Sequence, residues 1–177
     1  MTREQDKSRA GRAKEEYIIR PIGYVSCSHI EQEKTPIQPV YGAGSRARVI
    51  VFPEYEEGLD DLVGFSHIYI VFVFHKAGPP DLKVKPYFDN VKRGLFATRS
   101  PRRPNPIGFS LVRLIRREKN VLFIEDDDIL NGSPVVDIKP FIPRLDSRPD
   151  ARSGWLENIT DSDAGEIGSR MKKEPDK

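Results

Sequence analysis

Residues 92–110, KRGLFATRSPRRPNPIGFS, hold Lys92, Arg93, Arg99, Arg102 and Arg103 and no carboxylate. Pro101, Pro104 and Pro106 fix their own φ and push the residues before them into extended conformations, so this run is not a helix. A stiffened loop bearing guanidinium groups suits an anionic partner. Arginine grips a carboxylate or phosphate through two parallel hydrogen bonds, and little loop entropy is left to lose on binding. A solvated basic loop has the same composition, so both readings stand on residue type alone.

The second run with chemistry is residues 126–146, DDDILNGSPVVDIKPFIPRLD. Asn131-Gly132 is a turn signal, because both residues tolerate positive φ. Such a turn is either a plain hairpin connection or a place where backbone comes close to a ligand. Asp137 sits in an apolar strand beside Lys139, either paired with an arginine or part of a site, structural pairing being the commoner case. Cys27 and His29 share a strand face, and with His67 and His75 they are the residues a metal-dependent enzyme would use. The pair lacks a second pair at ligand spacing, so no metal is assigned.

These residues need strands to hold them. Residues 46–52 alternate, with Ala47, Val49 and Val51 on one face, and Pro53 ends the strand. Residues 54–62 read as one or two helical turns with Leu59 and Leu62 three apart. Residues 67–75 form the clearest strand, apolar on both faces in its middle, which expects a filled interior on one side and a helix or second protomer on the other. Residues 108–116 and 121–125 read as a hairpin joined near Lys119-Asn120, and residues 135–138 as a further strand. Residues 18–26, with Pro21 and Gly23, are expected as an edge or bent strand, and residues 75–88 as an exposed loop. Many short strands with turn signals between them suggest a barrel or a sandwich.

The chain has 177 residues, enough for one domain with an unstapled core. A single cysteine excludes an intrachain disulfide, no apolar run is long enough to span a bilayer, and the N-terminus lacks the apolar stretch of a signal peptide. The cytoplasm is the expected location. A net charge of +2 argues against wholesale wrapping of nucleic acid and leaves room for a local basic patch. Residues 1–16 are expected as a flexible charged tail, residues 17–157 as the folded domain, and residues 158–177 as a flexible or weakly helical tail.

FATRSPRRPNPIGFSLV together with NGSPVVDIKPFIP downstream, Phe65-Ser66-His67, the aromatic strand ending at His75 and Ile22-Gly23 resemble the TsaA-like family of S-adenosylmethionine-dependent tRNA methyltransferases. The resemblance spans roughly residues 18–146. It implies a mostly β protein, a small antiparallel β-barrel with one or two short helices and flexible charged termini. In keeping with it, the chain has no G-x-G-x-x-G turn. It implies methyl transfer to N6 of threonylcarbamoyladenosine beside the tRNA anticodon, a homodimer, and a cofactor site near the subunit interface. Carried over by motif, the S-adenosylmethionine contacts are Pro36, Ile37 and Gln38, then His75 and Lys76, Arg99, Phe109, and Asp128, Ile129, Leu130 and Asn131. Lys76, Asn131 and Ser133 stand where members commonly have glutamine, aspartate and threonine. Some members carry a further C-terminal domain that helps engage tRNA, which a chain of this length is expected to lack. No catalytic base is assigned, although Asp137 is a carboxylate that could take the amine proton. The alternative from another class is a non-catalytic RNA-binding barrel that uses the same arginines and aromatics as a backbone track and stacking platform.

Overall fold

The computed structural model describes residues 16–169. The expected N-terminal tail, Glu16 excepted, and Met171 at the end of the expected weak helix lie outside them. Six strands close into an antiparallel barrel: β1 (Gly23–Cys27), β2 (Arg46–Val51), β3 (His67–Val73), β6 (Ile107–Glu118), β7 (Val121–Glu125) and β8 (Pro134–Pro140). Their order around the barrel is β1-β2-β7-β6-β3-β8. A two-stranded ribbon, β4 (Lys83–Val84) with β5 (Arg93–Gly94), stands apart, inside and beyond the stretch read as an exposed loop. Two helices follow the barrel, α1 (Pro143–Asp146) and α2 (Asp161–Ser169).

Period-two alternation builds the interior. Ala47, Val49 and Val51 of β2 face inward, as do Ile68, Ile70 and Phe72 of β3, and all are buried. They meet Val25, Val112, Leu122, Ile124, Ile129 and Val135 in one core. Leu59, which ends the 3₁₀ turn Pro53–Leu59, and Leu62, which begins the turn Leu62–Gly64, are buried in the same core. The β6–β7 hairpin turns at Lys119, whose φ is 52°, and Asn120 Nδ2 donates to Val51 O at 2.6 Å.

One expectation needed correction, and one of two open readings falls away. The first strand does not run over residues 18–26: Ile18 and Ile19 are exposed, backbone bonds to the neighbouring strands begin at Ile22, and the strand spans Gly23–Cys27. The Asn131-Gly132 turn, with Gly132 at φ 79°, joins no hairpin. It ends the irregular stretch that carries the chain from β7, which pairs with β2 and β6, to β8, which pairs with β1 and β3.

Gly108 is paired with Phe72, and an added Cβ there would lie 2.6 Å from Phe72 Cζ and 2.8 Å from Phe74 Cζ. These rings meet edge-on, 5.0 Å between centroids, so neither can step aside without moving the other. We expect Gly108→Ala to cost about 1–3 kcal/mol through overpacking. Urea unfolding checks this, and an unchanged midpoint would show that the two rings have free room.

Candidate active site

A cleft of about 1040 Å³ opens at one end of the barrel, between the Thr35–Gln38 loop, the end of β3, the β4–β5 ribbon and the proline-stiffened loop. Each wall has a local cause. Thr35 is buried and its Oγ1 donates to Glu31 O at 2.8 Å, which turns the chain toward the cleft. Ile37 N donates to Gly168 O of α2 at 3.0 Å, pinning the loop from behind. β3 ends where Phe74 N donates to Pro106 O and His75 N donates to Val73 O, so His75 and Lys76 swing out to the rim. In the proline-stiffened loop, Leu95 is buried and its N–H donates to Leu82 O at 3.0 Å, which fixes the turn that precedes Arg99.

The floor comes from the stretch after β7. Asp126 has φ 60°, and its carboxylate accepts from Gly44 N at 2.9 Å. Asp127 turns inward and is fully buried, with Oδ2 3.6 Å from His29 Nε2 and neither atom otherwise partnered. The neighbouring Asp127 carboxylate holds the His29 imidazole above its ordinary value, against the opposing effect of burial. Asp128 turns the other way. Part of it opens into the cleft, and its carboxylate accepts from Ser110 Oγ. Burial pushes its pKa up to about 7, an effect that Ser110 opposes and Asp127 reinforces. Burial and the charge on Lys76 hold His75 below its ordinary value, and His75 Nδ1 and Ser133 Oγ are hydrogen-bonded at 3.2 Å.

Of the residues carried over by motif, the cleft brings together Pro36, Ile37, Gln38, His75, Lys76, Arg99, Asp128 and Leu130. Arg99 Nη1 donates to Gln38 Oε1, linking two motifs far apart in sequence. Three residues stand elsewhere. Ile129 is fully buried in the barrel core. Asn131 spends its side chain on the backbone, Oδ1 accepting from Cys27 N at 3.0 Å. Phe109 lies on the outer face of β6, with the Arg99 guanidinium 5.2 Å from its ring centroid. Asp137 does not line the cleft, and its partner is no arginine but Lys139, two residues on, at 2.7 Å.

Cys27 Sγ donates to Ile129 O at 3.1 Å, and burial pushes the thiol up to about 11, so it is not a ready thiolate. His67 bonds Ser66 at the far end of β3 from His75. Among the described residues no three His, Cys, Asp or Glu side chains converge on a metal-ligating position.

Sequence reasoning missed several lining residues. Phe72 and Phe74 were assigned to a strand without a role, and Trp155 was passed over in the polar stretch after the barrel. Trp155 is the only tryptophan in the chain. A lone tryptophan among charged residues is itself a signal, since its N–H usually finds a partner; here Nε1 donates to Ala97 O at 2.8 Å.

Residues 24–147 match the sequence model of the family described as TrmO_N, the tRNA-methyltransferase O N-terminal domain. A probable S-adenosyl-L-methionine-binding protein of Pyrococcus abyssi is 49% identical over 138 residues, which cover 78% of this chain and 75% of that protein. The human tRNA (adenine(37)-N6)-methyltransferase is 39% identical over 137 residues, 73% of this chain but 31% of the human one. The crystal structure of TrmO from Pseudomonas aeruginosa has a TM-score of 0.68 at 35% identity, covering 80% of this chain and 63% of that one. The chain thus spans most of the Pyrococcus protein and under two thirds of the other two. With that match lying over the barrel and over every residue that lines the cleft except Trp155 and Leu156, the chain belongs to the tRNA-methyltransferase O N-terminal domain family.

Proposed function

We propose that the cleft binds S-adenosylmethionine and that the protein, in the cytoplasm, transfers its methyl group to N6 of an adenine in tRNA, the threonylcarbamoyladenosine beside the anticodon. The observation that carries this reading is the convergence of Arg99, Gln38, His75, Lys76 and Asp128, from four separate stretches of chain, on one cleft. Relatives named for S-adenosylmethionine binding and for tRNA adenine methylation support it.

The lining fits the cofactor's chemistry. Arg99 and Lys76 suit its carboxylate, Asp128 suits its cationic end, and Ile37, Leu130, Phe72 and Phe74 offer apolar surface to its adenine. When bound, the cofactor supplies an electrophilic methyl group whose leaving sulfur departs neutral, so little acid catalysis is needed. The chain's part is mainly to hold the amine and methyl in line, and oriented reactants can be worth ~7–11 kcal/mol. Asp128 lines the cleft and Asp137 does not, which supports Asp128 over Asp137 as the carboxylate that takes the proton the amine sheds.

The homodimer rests on the outside of the barrel. Tyr69 contacts Phe109 and Phe141 edge-on or tilted, with centroids 6.2 and 5.8 Å apart, and Phe109 is 52% exposed. A second copy covering this face would also enclose Arg99, which lies over Phe109.

Calorimetric titration with S-adenosylmethionine, followed by transfer of labelled methyl to tRNA with and without the threonylcarbamoyl group, tests the reading. Absence of binding at millimolar cofactor would favour the RNA-binding barrel. Arg99→Ala should remove a charge-assisted contact of ~1.5–3 kcal/mol and lower cofactor affinity about tenfold to a hundredfold, with Arg99→Lys restoring only part. Affinity should fall as pH drops below about 7, because Asp128 must then lose a proton to face a cation, and Asp128→Asn should flatten that dependence. The same raised pKa acts on the ligand-free fold. The native state holds this proton more tightly than the unfolded chain, so Asp128's contribution to stability declines from about pH 4 to about 7, and Asp128→Asn should remove the decline. Sedimentation at micromolar concentration should show a dimer and Phe109→Glu a monomer; a monomeric wild type would refute the shared face.

A further inference from the structure

Phe96 has no part in the cofactor contacts above, yet it stands at the cleft with 75% of its surface exposed. Its position is built. It lies in the 3₁₀ turn Leu95–Ala97, whose Leu95 is buried and whose last carbonyl accepts from Trp155 Nε1 at 2.8 Å. Thr98 Oγ1 donates back to Leu95 O at 2.8 Å. The Arg103 guanidinium backs the Phe96 ring at 5.6 Å and is itself held by Thr98 O at 3.0 Å. Arg93 lies 5.5 Å from the Trp155 ring centroid, and its charge is anchored by Asp89 at 2.6 Å. The turn is therefore held through Leu95, Thr98 and Trp155, and the ring it holds out against Arg103 loses little freedom when something stacks on it.

The charge around this ring selects the occupant. Lys76, Lys83, Lys85, Lys92, Arg99 and Arg102 line the same cleft against two carboxylates, Asp81 and Asp128. A rigid aromatic face inside a cationic groove is the arrangement that takes single-stranded nucleic acid, bases on the ring and phosphates on the cations. We infer that Phe96 is a stacking platform for an unpaired RNA base at the entrance of the cleft, next to the base that is methylated. This rests on the tRNA reading and adds the residue that receives the single strand.

The experiment uses the full chain and a short single-stranded RNA carrying 2-aminopurine, whose fluorescence is quenched by stacking. Wild type should quench on binding. Phe96→Ala should lose the quench and bind roughly 5- to 150-fold more weakly. Phe96→Trp should keep both, whereas Phe96→Leu, apolar but not aromatic, should rescue neither. Circular dichroism checks that each variant is folded. Full quenching and wild-type affinity in Phe96→Ala or Phe96→Leu would overturn the inference, as would conversion of a dimer to a monomer by Phe96→Ala, which would assign the ring to contact between copies. Titration of wild type with S-adenosylmethionine is read separately. Failure there removes the methyltransferase reading, while the RNA quench still reports on Phe96.

Discussion

The barrel closes along a narrow seam. β8 pairs with β3 along most of its length, but it meets β1 only through Gly23 with Val135 and Tyr24 with Pro134. Backbone bonds extend the seam at both ends, from Ile22 N to Val135 O, from Val25 N to Ser133 O and from Gly132 N to Val25 O. On its other side Gly23 lets β1 lie close against β2, since a Cβ there would lie 2.3 Å from Ile50 O. The last bonds of the seam fall on the Asn131-Gly132 turn, so barrel closure fixes the stretch that carries Asp128 and Leu130. An open sheet would leave that stretch as a free connection, with its polar backbone unsatisfied.

Two adjacent acids show what this stretch does with charge. Alternation sends Asp127 into the protein and Asp128 into the cleft. Two carboxylates so close cannot both be charged cheaply. The inner one is met by His29, and the outer one holds its proton more tightly. His29 also accepts from Asn131 N through its carbonyl, at 2.8 Å. The extension of β1 thus handles both the charge and the shape of the floor. Arg99 tilts the balance at Asp128 the other way, lowering its pKa from across the cleft.

Strand periodicity and turn chemistry were legible in the sequence. Arg46 to Val51, the doubly apolar β3 and the Lys119-Asn120 hairpin all follow from residue order alone. Six strands in that arrangement form the antiparallel barrel that the family resemblance implied. What escaped were the partners that particular side chains choose. His29 beside Cys27 looks like half a metal site, because nothing near it in sequence announces Asp127. Asp137 looks important in an apolar strand, yet β8 lets it reach Lys139 on its own face. The proline-rich stretch reads as bare loop because a two-residue ribbon such as β4 with β5 is too short for any pattern.

Tyr41 gives the cleft a boundary that differs from that of the barrel. Its ring packs against Gly168 of α2 so closely that a Cβ at Gly168 would lie 2.2 Å from Tyr41 Cδ2, and it meets Phe88 edge-on at 6.2 Å. One side chain therefore joins the loop of Pro36 and Gln38, the end of the chain's last described helix, and the wall next to the β4–β5 ribbon. Cutting the chain after β8 would leave a barrel with its hydrogen bonds intact and two sides of its cleft unsupported. The stretch of polypeptide that closes the barrel and the stretch that braces the cleft therefore have different lengths.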